Sequence, residues 1–138
     1  VRLKTQRIKV IKNLAPHPLM LLADKEYLGR VFLNIFGNAI EAMPHGGALS
    51  IDTKIEKGRL LIKIQDNGNG ISEKNLIRIF DPFFSTKKEG AGLGLSTCQN
   101  IVTSHGGSIE VESAWRKGSA FVVSLPLEQK PSDRRGNI

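Results

Sequence analysis

Between Leu28 and Met43 the apolar residues Leu28, Val31, Phe32, Ile35, Ala39, Ile40 and Met43 recur three or four positions apart, and just beyond them the period drops to two. The first spacing lines one face of a helix, and Pro44, Gly46 and Gly47 end it. The second is carried by Leu49, Ile51 and Thr53 to Ile55, then by Leu60, Ile62 and Ile64, with Lys57-Gly58 between the runs. That pattern reads as a hairpin with one buried face. A helical stripe and a one-faced hairpin that adjoin in sequence bury each other most simply by packing face to face. The predicted fold class is therefore α+β: a two-layer α/β sandwich with about three helices on one side and a mixed, mostly antiparallel sheet on the other.

The rest of the chain extends the same plan. Ile8 to Leu22 holds two short apolar runs separated by Pro16 and Pro18, which reads as strand, turn and strand. Asp24 suits a helix N-cap, because its carboxylate can accept from the unpaired amides of a first turn. Ser72 can cap a short helix reaching Phe80. A second long helix is predicted from Leu95, with Cys98, Ile101 and Val102 turned inward and Gly106-Gly107 at its end. A last hairpin pairs Ile109 to Glu112 with Ala120 to Leu125, and Pro126 closes it. Residues 1–127 read as one domain and 128–138 as a polar, basic tail.

Composition narrows the partners. A chain of 138 residues at 40% hydrophobic content can bury one core. Its net charge of +7 raises the question of a polyanion, either nucleic acid or a phosphate-rich small ligand. Much of that charge lies at the ends, in Arg2, Lys4, Arg7, Lys9, Lys12, Lys130, Arg134 and Arg135. No stretch interleaves basic with aromatic residues, so nucleic acid is not expected. No apolar run is long enough to span a bilayer, no signal peptide opens the chain, and the lone Cys98 cannot form an internal disulfide. A cytoplasmic, monomeric domain without membrane contact is expected. The opening Val1 hints at a piece of a longer parent, whose membrane anchoring is left open.

Four features stand apart from the scaffold. Asn34 and Asn38 lie four residues apart on the first long helix, hence on one face, with Glu41 extending it. Asparagine is a mediocre helix former. The pair either satisfies buried backbone groups or offers amide oxygen to a hard cation such as Mg²⁺ beside phosphates and waters. Asp66-Asn67-Gly68-Asn69-Gly70-Ile71 follows a predicted strand directly. Its glycines either make a plain turn or leave the backbone bare for a flat ring, whose exocyclic amine the carboxylate can accept from.

Gly90-Ala91-Gly92-Leu93-Gly94-Leu95 runs into the second long helix, where exposed amides and the helix dipole make a phosphate cradle. Neither a Rossmann nor a Walker pattern occurs in the chain. Finally, Phe80-Asp81-Pro82-Phe83-Phe84-Ser85-Thr86-Lys87 concentrates phenylalanines before that loop. They either fill core gaps or anchor a lid. Lys87 or Lys88 is either a solvated side chain or a charge for a γ-phosphate.

In this order the features resemble the catalytic ATP-binding domain of sensor histidine kinases, within the Bergerat fold shared with gyrase, mismatch-repair and heat-shock ATPases. The resemblance runs from about Leu19 to Leu127. Asn34-x-x-x-Asn38-Ala39 looks like the N box, Asp66-x-Gly68-x-Gly70-Ile71 the first glycine box, and Phe80-Asp81-Pro82-Phe83-Phe84 the F box. Gly90-x-Gly92-Leu93-Gly94-Leu95 is similar to the second glycine box, and Gly118-Ser119-x-Phe121 with Leu125-Pro126 to the closing strand.

The resemblance implies that the cofactors are ATP and Mg²⁺ and that Asp66 receives the adenine amino group. It makes Asn38 the principal Mg²⁺ ligand, with Asn34 supporting it or a phosphate. Gly92 to Leu95 would wrap the phosphates beneath a lid of roughly Asp81 to Ala91. Ser119 stands where the family often has threonine near adenine. The partners implied are a histidine-bearing dimerisation domain and, through it, a response regulator.

Two departures from the family pattern bear on chemistry. Hydrolysing branches of the fold, and its serine-kinase branch, usually place a glutamate base four residues before the Mg²⁺ asparagine. Here that position is Asn34, an amide that takes no proton at neutral pH. Little water activation is expected, and the phosphoryl group should go to histidine. Glu41 stands where many histidine kinases carry a basic residue. The run Asn38 to Met43 with Ser85-Thr86-Lys87 looks more like the nitrogen-regulation type, in which Lys87 supplies the missing charge.

None of His17, His45 and His105 sits on a long helix beside an acidic neighbour, so the phosphoacceptor is expected on a separate domain. His105 reads instead as a helix C-terminal residue. The alternatives are a free-standing serine kinase of the anti-sigma-factor kind and a nucleotide-sensing module without catalysis.

Overall fold

The computed structural model describes residues 7–15, 23–82 and 94–127. A short strand, β1 (Ile8–Asn13), precedes the long helix α1 (Lys25–Glu41). The hairpin β2 (Gly47–Glu56) and β3 (Arg59–Asp66) leads to a one-turn helix, α2 (Glu73–Leu76). Helix α3 (Leu95–Ser104) and the hairpin β4 (Ser108–Ala114) and β5 (Gly118–Pro126) complete the order. The sheet runs β1-β2-β3-β5-β4, parallel only between β1 and β2. This is the expected α+β architecture with a mixed sheet. Of the two strands expected before Asp24, the first is β1; the second, with its turn at Pro16 and Pro18, falls outside the described residues.

Local chemistry fixes the element ends. The Asp24 carboxylate accepts from the amides of Glu26 and Tyr27 at 3.0 and 3.1 Å, as an N-cap should. Ser72 caps α2 through the Asn75 amide at 3.3 Å, but the helix ends at Leu76 rather than Phe80, and single turns carry the chain on. At the end of α3, Gly106 adopts φ 76° and the Gly107 amide reaches back to the Val102 carbonyl at 3.0 Å. The β2–β3 turn places Lys57 and Gly58 at φ 53° and 74°, the left-handed pair a tight hairpin needs.

Helix α1 contributes Leu28, Val31, Ile35 and Ala39 to the core, and Met43 follows just beyond it. Cys98 and Val102 come from α3. Opposite them, Leu49, Ile64, Ile109, Phe121, Val123 and Leu125 form the inner face of the sheet. Register organises that face into rows. Ile51, Ile64, Phe121 and Val111 are neighbours across β2, β3, β5 and β4, and Thr53, Ile62, Val123 and Ile109 form the next row. The row at the opposite end of this run reads Leu49, Asp66, Ser119, Ser113. There the inner face turns polar, beside the loop that leaves β3.

Candidate functional site

The site is built around that polar row. Asp66 ends β3 on the core side of the sheet, and only 5% of it is exposed. Its carboxylate accepts the Gly68 amide at 2.9 Å. Burial pushes the Asp66 carboxyl above its ordinary range, while bonds from the backbone at Gly68 and Ser119 pull it back down. Ser119, opposite Asp66 in β5, is 7% exposed. A buried carboxylate beside a buried hydroxyl needs a purpose in a row otherwise suited to aliphatic side chains.

The glycine-rich turn after Asp66 is pinned on every side. The Asn67 side chain accepts the Ala48 amide at 2.9 Å, tying the turn to the start of β2. The Asn69 amide donates to the Ala42 carbonyl, 2.9 Å away, at the end of α1. The Arg116 amide donates to the Asn69 carbonyl from the β4–β5 turn, and the Ile71 amide donates to Ser113 Oγ at 2.7 Å. The glycines serve this packing. A Cβ on Gly68 would strike the Ala42 carbonyl oxygen, and one on Gly70, at φ 72°, would strike that of Ala114. The sequence left two readings open, a plain turn or room for a flat ring; within the chain it is the protein's own backbone that comes close to both glycines.

The second part of the site lies where α1 meets α3. Asn34 and Asn38 are both half-buried on α1. The Asn34 amide nitrogen donates to the Cys98 sulfur at 3.1 Å, and Cys98 belongs to the first turns of α3. Burial pushes the Cys98 thiol up, with the bond from Asn34 acting against it. Gly94 is the N-cap of α3 and offers no side chain, so none caps its first turn. Asn34 therefore stands beside the first turns of a helix whose N-terminus is of the kind that holds anions. Among the described residues no group of His, Cys, Asp and Glu is arranged to hold a metal. A metal here would rest on amide oxygen and ligand oxygens, a donor set that fits Mg²⁺.

Of the residues singled out in the sequence, Asp66, Gly68, Gly70, Ile71 and Ser119 gather at the polar row. Asn34 reaches Cys98 where α1 meets α3; Asn38 lies one turn further along α1, and Gly94 and Leu95 open α3. The two groups are joined through α1, whose C-terminal end bonds the turn that follows Asp66. Lys87, Gly90, Gly92 and Leu93, together with Phe83 and Phe84, lie outside the described residues. Sequence reasoning missed Ser113, Asn67 and the pairing of Cys98 with Asn34. Ser113 was within reach: extending the Glu112–Ala120 register by one pair sets it opposite Ser119.

His105 caps the C-terminus of α3, as expected, and does more. Its Nδ1 bonds the Ile101 carbonyl at 2.8 Å, and its Nε2 accepts the Asp24 amide at 2.9 Å. It links the end of α3 to the start of α1. No helix among the described residues is long and apolar enough to cross a membrane.

Comparison with known proteins gives a consistent picture. The family model described as histidine kinase-, DNA gyrase B-, and HSP90-like ATPase matches residues 23–129. Sporulation kinase C of Bacillus subtilis is 44% identical over 109 residues, covering 79% of this chain and 26% of that protein. Sporulation kinase D of the same organism is 40% identical over 117 residues, covering 85% of the chain and 23% of its own length. The sensor histidine kinase ZraS of Klebsiella oxytoca is 40% identical over 115 residues, 83% of the chain and 25% of that protein. The chain thus spans about a quarter of the length of these relatives. Among solved structures, the catalytic domain of histidine kinase ThkA superposes with a TM-score of 0.80 at 31% identity, over 91% of this chain and 82% of that one.

Proposed function

We infer the function from the premise that this chain belongs to the histidine kinase-, DNA gyrase B-, and HSP90-like ATPase family. The reading that follows is that it is the catalytic, ATP-binding domain of a sensor histidine kinase. It holds Mg-ATP and presents the γ-phosphate to a histidine on a separate dimerisation domain, from which a response regulator receives it. One solved relative, ThkA, has been captured with its response regulator TrrA, which supports that last step. The resemblance to the nitrogen-regulation type rests on Asn38 to Met43 and on Lys87.

The observation that carries the reading is the buried Asp66, aligned with Ser119, at the edge of a turn held rigid against α1, β2 and the β4–β5 turn. A preformed, buried carboxylate suits the exocyclic amine of adenine. A charged hydrogen bond of that kind is worth about 1.5–3 kcal/mol. From there the nucleotide would run along α1 towards Asn38, Asn34 and the N-terminus of α3. The α3 amides, with Gly92 to Leu95, would receive the phosphates. Bound Mg²⁺ would supply positive charge against the phosphates. Asn38 would hold the cation by its amide oxygen, and Asn34, its nitrogen committed to Cys98, would turn its oxygen to the same cluster. Lys87 would add charge at the γ-phosphate.

Phosphoryl transfer asks mainly for such positioning, and the chain supplies no general base where hydrolases have one: the Asn34 amide takes no proton at neutral pH. Transfer to an imidazole needs none. The test is to incubate the chain with γ-labelled ATP and a histidine-bearing dimerisation domain supplied in trans. Acid-labile label on that domain is expected. Label appearing only on a serine-bearing partner would transfer the chain to the serine-kinase branch, and binding without transfer to either would leave a nucleotide sensor.

A further inference from the structure

The hydroxyl of Ser113 closes the polar row at the edge strand β4 and is fully committed. Ser113 Oγ donates its one proton to the Gly118 carbonyl at 3.0 Å. It accepts the Ile71 amide at 2.7 Å and lies 2.8 Å from Ser119 Oγ. Since the Ser113 proton is spent on Gly118, the short contact between the hydroxyls must use the proton of Ser119. Ser113 thereby absorbs two donors: the Ser119 O–H from the cross-strand neighbour of Asp66 and the Ile71 N–H from the turn that follows it. What Ser119 retains is lone pairs. It is the cross-strand neighbour of Asp66, both side chains are buried on the same face, and the Asp66 carboxylate is itself an acceptor.

We propose that Ser113 is a positioning residue that sets the hydrogen-bond polarity of the base subsite: beyond the backbone amides already bonded to the Asp66 carboxylate, it leaves only acceptors for the base and so selects a purine with an amine at position 6 over one with a carbonyl there. The proposal rests on the reading that Asp66 receives the base. An amine at that position brings two hydrogens and finds two acceptors. A carbonyl brings lone pairs and meets acceptors, and the donors that would have welcomed it are turned onto Ser113. Sites whose polar groups are matched to one substrate reject the mismatched analogue strongly, because buried partners are left unpaired. Ser113 need not touch the base to do this. It acts through Ser119 and Ile71.

The test is calorimetric titration of the whole chain with Mg-ATP and with Mg-GTP. The unmodified chain should prefer ATP. Ser113→Ala frees the Ser119 proton to rotate and the Ile71 amide to seek a new acceptor, so the ATP-to-GTP affinity ratio should fall by about tenfold. Ser113→Thr, which keeps the hydroxyl, should restore it. A loss shared equally by both nucleotides, or no change in either, would overturn the proposal while leaving the ATP-binding reading intact. Failure of the unmodified chain to bind ATP would overturn that reading and the proposal with it. If Ser113→Ala does not fold, Ser119→Ala carries the test: removing the acceptor should weaken ATP and spare GTP, and an unchanged ratio there would be equally fatal.

Discussion

The side-chain nitrogen of Asn34 lies 3.1 Å from the sulfur of Cys98, joining the middle of α1 to the first turns of α3. Because a thiol is a weak acceptor, the contact contributes modestly to stability. Its larger effect is orientation: with the nitrogen held by sulfur, the Asn34 oxygen is aimed away from Cys98. Cys98→Ser preserves an acceptor and should leave Mg-ATP affinity within about twofold, whereas Cys98→Ala should weaken it by about three- to tenfold. Equal affinities for the two variants would show that the Cys98 sulfur does not orient Asn34.

Cys98 is 2% exposed, and burial raises its pKa, so thiolate is scarce and access is poor. The native chain should resist alkylation by iodoacetamide at neutral pH and react fully once guanidinium unfolds it. Mass spectrometry of native samples showing rapid, complete labelling would contradict the packing of α3 on α1.

Asp66 makes the stability of the unliganded chain depend on pH in an unusual direction. Its pKa is raised in the folded state, so the fold binds this proton more tightly than the unfolded chain does. The stabilisation is complete below the unfolded value of about 3.9 and is lost as pH rises through the folded one. At pH 7 the ionised carboxylate is therefore a cost. Asp66→Asn should raise the thermal midpoint at neutral pH, and that advantage should vanish at about pH 3. A lower midpoint for Asp66→Asn at pH 7 would mean that the Gly68 and Ser119 bonds outweigh burial.

Two glycines with opposite surroundings give opposed outcomes. Gly70 adopts φ 72° and a Cβ there meets the Ala114 carbonyl, so Gly70→Ala should cost about 2 kcal/mol or more. Gly29 lies within α1 with open space around it, and Gly29→Ala should stabilise by about 0.5–1 kcal/mol. Denaturant midpoints at constant slope measure both. Similar losses for the two would refute the close approach at Gly70.

How much of this could be read from residue order differs sharply between fold and site. The α1 stripe, both hairpins and the Asp24 and Ser72 caps follow from local rules: period, turn chemistry and capping hydroxyls or carboxylates. The end of α2 did not, because its apolar residues Leu76, Ile79 and Phe80 fit a helix and a succession of turns equally well. At the site, Asp66 and the asparagine pair announce themselves as polar groups where apolar ones belong. Ser113 does not, since a serine near a hairpin turn is unremarkable until register places it against Ser119 and the Ile71 amide. The Asn34–Cys98 bond spans 64 positions, and no local periodicity encodes such a contact.

Nucleotide binding by the chain itself decides the matter. Calorimetry of the unmodified chain, Asp66→Ala and Asn38→Ala, each titrated with ATP in the presence and absence of Mg²⁺, is the direct measurement. Asp66→Ala should lose about ten- to a hundredfold in affinity under both conditions with the fold intact. Asn38→Ala should lose affinity mainly when Mg²⁺ is present. Unchanged ATP affinity in a folded Asp66→Ala chain would contradict the central claim.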